Sequence, residues 1–416
     1  MTAPAIRSGA KDLGARFSGF GIRESGPDAV HRGVIPDSRA PGPECRTSSL
    51  RVLVAAGGTG GHIFPALTVA QALRERWTAQ REQVCDREQP EIEFVGTGRG
   101  IESRVIPAAG FPLHVIAAAG LKGMGPSKWI RNLFVLPASF WEAGKLLMRF
   151  RPDVVVGLGG YVAGPVMLEA SLARIPTLLI EPNAAPGFTN RVLAPWIRLA
   201  AVGFPEGARF YGSKARVTGH PVRPMFARIA PKTHEPPFTL LISGGSQGSL
   251  GINNATVRAL PLLARQAIPC RIIHQTGERD FERVRAAYQN SGLAVEVHAF
   301  LDDIPAAFER ADLVVCRSGA STVSEIMAAG KASLLIPFPA AADNHQLANA
   351  RILENVGAAR VIEQRHLTPQ RLVEEICSLL AEPDKLVQMD HRARALARPD
   401  AAAQIAELVE RLASSP

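Results

Sequence analysis

Cysteine and aromatic residues are both scarce in this 416-residue sequence. The cysteines stand far apart with no CxxC pair, so neither a zinc site nor a disulfide framework is indicated, and we expect reduced, mostly buried thiols. Aromatics make up 6% of the chain and hydrophobic residues 46%, a balance typical of a soluble α/β enzyme. The cysteines are Cys45, Cys85, Cys270, Cys316 and Cys377.

Long hydrophobic runs and a signal peptide are also missing. No stretch approaches the roughly 18 uninterrupted apolar residues of a membrane-spanning helix. The N-terminus has no charged segment followed by an apolar one, so we expect a cytoplasmic protein. An Asp-x-Asp motif, which could supply carboxylates to a metal-bridged diphosphate, is absent as well. We therefore predict no metal ion and no other cofactor.

Positive charge, in contrast, is in excess. The formal net charge is +9 and the pI is about 9.7. These values favour anionic partners, namely nucleic acid, phosphorylated small molecules or an acidic membrane surface. The sequence contains no recognised nucleic-acid-binding motif, so nucleic acid is not a predicted partner.

Short β-branched runs alternate with amphipathic stretches from Arg51 onward, in the pattern of parallel sheets covered by helices on both faces. The predicted strands are RVLVAAG, IEFVG, VVVGLGG, TLLIE and LAAVGF, then FTLLISGG, CRIIHQTG, AVEVHAF, LVVCRSG and ASLLIPF. This pattern predicts two Rossmann-like, doubly wound domains that face each other across a cleft. The predicted divisions are a disordered extension (1–49), a first domain (50–218), a linker (219–237), a second domain (238–383) and a helical tail (384–416).

The stretch AAGGTGGHIFP places four glycines and His62 where a strand passes into a helix. Such a turn lets backbone N–H groups approach a phosphate or sugar at a helix N-terminus. It matches neither a Walker loop nor the dinucleotide GxGxxG pattern. A tight turn without a ligand is the alternative interpretation. His62, at the mouth of the expected cleft, is a candidate general base.

The second domain carries two comparable segments. SGGSQGSLGIN, which contains Ser246, offers backbone and hydroxyl groups to phosphate oxygens. In CRSGASTVSEI, the residues Ala320, Ser321 and Thr322 begin a predicted helix and would direct its dipole at a diphosphate. Glu325, about one turn further, could accept hydrogen bonds from two ribose hydroxyls. Structural turns and a solvated helix carboxylate are the alternatives.

Further candidates follow other predicted strands. Gly159, Gly160 and Tyr161 in GLGGYVAGP could face an acceptor diphosphate, and Asn183 in IEPNAAPG could contact a sugar hydroxyl. His345 and Gln346 are placed to contact sugar hydroxyls too. Without a metal, the diphosphate charge would be neutralised by helix dipoles, hydroxyl groups and Arg223.

Residues 120–151 combine basic side chains with Trp and Phe. This mixture favours an interfacial surface that faces anionic lipid. A core helix with a basic outer face is the alternative. The residues concerned are Leu121, Lys122, Met124, Lys128, Trp129, Ile130, Arg131, Leu133, Phe134, Phe140, Trp141, Lys145, Arg149 and Arg151, with Glu142 opposing the positive charge.

From Arg51 to the C-terminus the chain resembles the MurG family, the N-acetylglucosamine transferases of glycosyltransferase family 28 that make lipid II. GGTGGHIFPA, GLGGYVAGP, GHPVR, GGSQGS, CRSGASTVSEI and DNHQ occur in that family's order. The resemblance implies a GT-B fold, with the donor bound mainly by the second domain and the acceptor lipid by the first. It implies donor contacts from Thr59, Gly60, Gly61, Asn183, Arg223, Ser246, Leu301, Ala320, Ser321, Thr322, Val323, Ser324, Glu325 and Gln346.

The activity that the resemblance implies is inverting transfer of N-acetylglucosamine from UDP-GlcNAc. The acceptor would be the 4-hydroxyl of undecaprenyl-diphosphate-MurNAc-pentapeptide, lipid I, and the product lipid II for peptidoglycan. The enzyme would work at the cytoplasmic face of the membrane as a peripheral protein, beside other cell-wall enzymes. Closure of the two domains around GHPVR would bring donor and acceptor together.

Two departures from the family pattern stand out. Pro182 replaces a frequent Gln in the EPN turn, and His220 replaces a frequent Asn in GHPVR. Two rival functions also remain at this point. A UDP-GlcNAc epimerase of the same fold would need further carboxylates in the cleft and would not need the basic aromatic surface. A catalytically silent cell-wall scaffold would not need intact GGTGGH and SEI motifs.

Overall fold

The computed structural model describes most of the chain from Ser49 onward. Three sequence-based predictions concern residues outside that part and stay predictions: the disordered extension, the contact of Thr59, and the side chains of the first half of the basic aromatic segment. For residues 80–84 and 126–136 the description covers the backbone alone. The described ranges are 49–57, 60–84, 88–98, 100–117, 126–341 and 344–414.

The first domain is built on a parallel sheet in the order β3-β2-β1-β4-β5-β6-β7. Its central strands are almost wholly apolar because helices cover both faces of the sheet. Leu53 of the central strand pairs with Glu93 on one side and Val155 on the other. The strands are β1 Arg51–Ala55, β2 Glu91–Gly96, β3 Leu113–Val115, β4 Val154–Gly157, β5 Thr177–Glu181, β6 Leu199–Val202 and β7 Ala215–Val217.

The second domain repeats this plan with a parallel sheet in the order β10-β9-β8-β11-β12-β13. In both sheets the first strand lies near the centre. The next two strands extend the sheet on one side and the later strands extend it on the other, which creates a crevice beside the first strand at the carboxyl ends of the strands. The strands are β8 Phe238–Ser243, β9 Cys270–Gln275, β10 Ala294–His298, β11 Leu313–Cys316, β12 Ser333–Leu335 and β13 Ala359–Val361.

Helices connect the strands and bury both faces of each sheet. Side chains cap the first turns of a few helices: Ser249 accepts a hydrogen bond from the Ile252 amide and Thr368 accepts one from the Arg371 amide, as N-cap residues do. The helices are α1 Gly60–Val84, α2 Glu102–Ala108, α3 Pro126–Phe150, α4 Gly160–Leu172, α5 Phe188–Leu193, α6 Pro205–Tyr211, α7 Pro224–Ala227, α8 Leu250–Leu263, α9 Phe281–Gln289, α10 Ile304–Arg310, α11 Ala320–Ala329, α12 His345–Asn355, α13 Pro369–Leu380, α14 Pro383–Ala395 and α15 Ala401–Ser414.

The fold class predicted from sequence is confirmed, and every predicted strand lies within or around an observed one. Three short strands were missed, namely β3, β7 and β13. All three are sheet edges of three residues each. An edge strand pairs on one side only and needs less apolar sequence, so its pattern is weak.

The C-terminal helices divide between the two domains. Leu386 and Met389 of α14 join the core of the second domain. Ile405 and Val409 of α15 are fully buried in the core of the first domain, where α15 packs against α1 and β4. The chain therefore passes between the domains twice, once through the predicted linker and once between α14 and α15.

The two crossings run side by side. Arg398, between α14 and α15, donates a hydrogen bond to the Val217 carbonyl at 3.2 Å. Gly219 has φ +86°, and a Cβ added to it would lie 2.6 Å from Cβ of Arg398. Only glycine meets both the backbone conformation and this close approach.

Downstream of this point the linker is fixed to the second domain by a buried charge network. His234 lies between Asp312 and Asp390, with ring nitrogens 2.8 and 3.0 Å from their carboxylates. Lys232 reaches Asp312 as well, at 2.8 Å. Burial works against a charge on His234, but the two carboxylates outweigh it and raise its pKa. From Lys232 onward the linker is therefore held against the second domain.

Candidate active site

The N-termini of α1 and α11 meet between the two domains. Gly61 lies in the first turn of α1 and Ser321 in the first turn of α11. The Ser321 hydroxyl lies 3.4 Å from the Gly61 carbonyl oxygen, in position to donate to it. The positive ends of two helix dipoles thus converge, which suits a diphosphate.

His62 follows directly, with its ring against the glycine turn before α4. A Cβ added to Gly160 would lie 4.0 Å from Nδ1 of His62 and 3.3 Å from the Gly57 carbonyl oxygen. Gly159 and Gly160 have φ of +84° and +75°, which lets this turn approach the ring closely. Burial, then the neighbouring His345, lowers the pKa of His62, so the imidazole is neutral at pH 7 and can accept a proton.

Glu325 and Arg223 form an ion pair at the domain boundary. Their side-chain atoms are 3.3 Å apart, and the Glu325 side chain is 20% exposed. Burial raises the pKa of Glu325 to about 7 although Arg223 opposes the shift. The guanidinium also lies 5.6 Å from the ring of Phe64 on α1, within cation–π range. Arg223 therefore links the predicted ribose-binding carboxylate to the first domain.

Asn183 is tied to the second domain through a residue that the sequence analysis missed. Asn349 of α12 donates to the Asn183 side-chain oxygen at 3.1 Å and accepts from the Ala184 amide at 2.9 Å. Within the first domain, buried Glu181 accepts hydrogen bonds from the Asn183 backbone and side chain, Asn190 and Tyr211. The EPN turn is thus held by hydrogen bonds to both domains.

The other predicted donor residues lie at the same edge of the second sheet, Ser246 and Leu301 on loops and Gln346 in the first turn of α12. Ser246 is exposed in the turn between β8 and α8, and Leu301 packs beside the core before α10. Gln346 accepts a hydrogen bond from the Phe338 amide at 2.9 Å. Arg317, also missed, donates to the Ile336 and Pro337 carbonyls and so fixes this loop.

The first turns of α11 hold the remaining predicted contacts, while Tyr161 on α4 is 52% exposed. Val323 is fully buried in the core below, so only its backbone can face a ligand. Ser324 is buried, and its hydroxyl has no hydrogen-bond partner among the described residues. No clear sequence signal marks Asn349 or Arg317, because their partners lie in other strands and helices.

Three further features of the described residues bear on function. Within the part of the chain that the structure covers, no group of three or more His, Cys, Asp or Glu side chains is arranged to hold a metal ion. Cys270, Cys316 and Cys377 are free thiols, with Cys316 buried. None of the described helices is long and apolar enough to cross a membrane.

Comparison with known proteins agrees with this arrangement in both domains. The family model for the glycosyltransferase family 28 N-terminal domain matches residues 52–202, and that for the C-terminal domain matches residues 239–405. A curated relative from Anaeromyxobacter sp. (strain Fw109-5), a UDP-N-acetylglucosamine–N-acetylmuramyl-(pentapeptide) pyrophosphoryl-undecaprenol N-acetylglucosamine transferase, is 43% identical over 88% of this chain and 96% of its own length.

Solved structures show the same fold. Acinetobacter baumannii MurG superposes with a TM-score of 0.69 at 32% identity, over 87% of this chain and 99% of that one. A putative UDP-N-acetylglucosamine 2-epimerase from Listeria monocytogenes gives a TM-score of 0.62 at 13% identity, over 86% of this chain and 95% of that one. At that identity only the fold is shared.

Two facing Rossmann-like domains, each matched by a glycosyltransferase family 28 model, place the chain among the glycosyltransferases of the GT-B type. Within that class, the chain belongs to glycosyltransferase family 28, in the family of UDP-N-acetylglucosamine–N-acetylmuramyl-(pentapeptide) pyrophosphoryl-undecaprenol N-acetylglucosamine transferases.

Proposed function

We propose that this protein transfers N-acetylglucosamine from UDP-GlcNAc to the 4-hydroxyl of the muramoyl sugar in undecaprenyl-diphosphate-MurNAc-pentapeptide. The observation that carries the proposal is the meeting of Gly61 and Ser321 beside His62. It sets a neutral base next to the place where two helix dipoles favour a diphosphate. The relatives' names supply the identities of donor and acceptor.

In the proposed reaction the acceptor hydroxyl oxygen attacks the anomeric carbon from the face opposite the diphosphate. The new carbon–oxygen bond forms as the bond to UDP breaks, so configuration inverts to a β1,4 linkage. The hydroxyl proton passes to the imidazole of His62, and the electron pair of the broken bond leaves on the β-phosphate. The α11 N-terminus and Arg223 stabilise the charge that develops there.

The donor contacts proposed are those that the sequence analysis named. Glu325 would accept the ribose hydroxyls, Leu301 would line the uracil pocket, and Ser246, Asn183 and Gln346 would contact phosphate or sugar. The turn at Gly159, Gly160 and Tyr161 would face the acceptor diphosphate. Transfer would need no metal, because helix dipoles, hydroxyl groups and Arg223 neutralise the charge.

The experiment is transfer of labelled N-acetylglucosamine to a water-soluble analogue of the muramoyl-pentapeptide lipid. Acceptor-dependent release of UDP supports the proposal. Release or isomerisation without acceptor would favour the epimerase, and UDP binding without turnover would favour the scaffold. His62→Ala should lower kcat by about 100-fold or more while UDP affinity stays within a few-fold. A His62→Ala enzyme with normal turnover would remove His62 from the role of base.

Domain closure forms part of the proposal. A cavity of about 460 Å³ lies at the linker, lined by Phe204 of the first domain, Arg223, Ser324 of the second domain and Arg398 of the second crossing. A space bounded by both domains changes size when they rotate, so it can accommodate closure. Small-angle scattering should show a more compact particle with UDP-GlcNAc than without it, and identical curves would argue against closure.

The proposed location is peripheral, at an anionic membrane on the cytoplasmic side. Trp141 and Met148 of α3 are 63% and 71% exposed. Lys145 lies 3.5 Å from the Trp141 ring centroid, and Arg149 is exposed nearby on the same helix. Exposed apolar and basic groups on one helix suit an anionic lipid surface.

A second exposed stripe supports this orientation of the first domain. Phe188, Val192 and Trp196 recur every four residues along α5 and the turn that follows it, and each is 55% exposed. Co-sedimentation should show binding to vesicles with anionic lipid and less to neutral ones. Trp141→Ser should weaken binding, whereas Leu250→Ser, which removes an exposed leucine from the second domain, should not. Equal losses in the two variants would contradict this surface.

A further inference from the structure

His220, which replaces a frequent Asn in GHPVR, is a linker residue enclosed against α11. It is 4% exposed and follows Gly219 at the first domain crossing. Its Nε2 lies 3.1 Å from the Ser321 hydroxyl oxygen. The same hydroxyl lies 3.4 Å from the Gly61 carbonyl. The Ser321 hydroxyl thus connects the linker, the first turn of α11 and the first turn of α1.

The direction of these two hydrogen bonds follows from the chemistry of the groups. The Gly61 carbonyl can only accept, so the one proton of Ser321 points toward it. Ser321 must then accept from His220, whose Nε2 carries the ring proton. Burial, then the nearby His62, lowers the pKa of His220 to about 3, which is consistent with a neutral ring. Nδ1 of His220 is buried with no hydrogen-bond partner among the described residues.

We propose that His220 is a positioning residue that keeps the Ser321 hydroxyl oriented as a donor at the N-terminus of α11. Because His220 donates its hydrogen bond to the Ser321 oxygen, the Ser321 proton remains available for an acceptor in front of the helix. In the free protein that acceptor is the Gly61 carbonyl, and with the donor substrate bound it is a diphosphate oxygen. The inference rests on the proposed function, since it assigns Ser321 to the diphosphate.

The arrangement predicts an effect confined to the phosphate end of the ligand. Replacing His220 by Leu frees the Ser321 hydroxyl to turn its proton away from the ligand. The diphosphate then loses a hydrogen-bond donor. The bond to an anionic diphosphate oxygen is charge-assisted, so its loss corresponds to roughly a ten- to 100-fold change in affinity. The affinity for uridine, which has no phosphate, stays unchanged. A general disturbance of the second domain would weaken both ligands.

The experiment compares the inhibition constants of UDP and uridine in a set of folded variants. His220→Leu and Ser321→Ala should each weaken UDP binding about ten- to 100-fold and leave uridine binding unchanged. The double variant should be no weaker than either single one, because both remove the same bond. His220→Asn, which keeps an N–H donor, should stay within about twofold of the original protein. Ser333→Ala, which removes another buried hydroxyl, serves as the control and should combine additively with His220→Leu.

The inference is overturned if His220→Leu binds UDP normally, or by any of three further results. These are equal weakening of uridine and UDP, additive losses from His220→Leu and Ser321→Ala, or an Asn variant as weak as the Leu variant. If His220→Leu does not fold, His220→Ala takes its place in the cycle. Failure of the original protein to bind UDP overturns the proposed function, whereas normal UDP binding by the His220 variants overturns only the role of His220.

Discussion

The pKa of Glu325 predicts that donor affinity depends on pH near neutrality. Burial raises this pKa to about 7, whereas an ordinary glutamate titrates near 4.3. Only the ionised carboxylate can accept both ribose hydroxyls. For a pKa of about 7, the ionised fraction falls from about nine tenths at pH 8 to about one tenth at pH 6. The dissociation constant for UDP-GlcNAc should therefore rise about tenfold between these pH values.

Isothermal titration calorimetry between pH 6 and pH 8 measures this change directly. UDP-GlcNAc is the ligand of choice because its diphosphate is esterified at both ends and does not titrate in this range. His220 does not contribute, since burial lowers its pKa to about 3, and burial also shifts the pKa of His62 downward from its ordinary value. Glu325→Gln is the matched control because its side chain has the same shape and no titration. The dissociation constant of this variant should be weaker at pH 8 and nearly independent of pH.

Two results would refute the reasoning. A constant affinity from pH 6 to pH 8 would mean that Glu325 titrates outside this range or does not contact the ribose. The same tenfold slope in Glu325→Gln would assign the titration to another group. Either result would leave transfer activity itself untouched, so the location of the ribose is tested separately from the reaction.

Further predictions concern stability and metal. His234→Ala removes one charged partner from the buried Asp312 and Asp390 carboxylates, while Lys232 still pairs with Asp312, and should cost about 1.5–3 kcal/mol in urea unfolding; a loss below about 1 kcal/mol would contradict the network. Because the pKa of His234 is raised, its contribution is complete below about pH 6.5 and is lost as the pH rises through the folded-state pKa, which unfolding curves of the original protein and the Ala variant should show. Gly219→Ala should lower the melting temperature more than Gly212→Ala, since both glycines have positive φ but only Gly219 would also meet Arg398; equal shifts would mean that the contact adds nothing. Transfer in the presence of EDTA should proceed at the normal rate, and loss of activity that Mg²⁺ restores would overturn the metal-free mechanism.

The two-domain fold could be predicted because buried parallel strands have a dense apolar pattern and their glycine turns are local. GGTGGH and SGAST contain, within a few residues, the groups that form a helix N-terminus. The sequence therefore predicted the neighbourhood of His62 and Ser321, although the resemblance was needed to assign Leu301. No local pattern indicates that Ser321 reaches Gly61, since 260 residues separate them.

Residues whose partners are distant in sequence escaped prediction. Asn349 looks like an ordinary polar position on a helix, and its contact with Asn183 appears only when the domains come together. Arg317 is adjacent to a recognised motif, but its carbonyl partners follow another strand. His234 lies in a segment that reads as a plain connector. Their roles depend on tertiary geometry, which pattern and composition do not encode.

The return of α15 to the first domain affects what happens if the linker is cut. Cleavage near Ala230 would give one fragment with the first sheet and another with the second sheet plus α15. The second fragment would still carry Ile405 and Val409, which fill a groove on the first. The halves would stay associated without a covalent bond, so two separately expressed pieces divided at this point should reassemble.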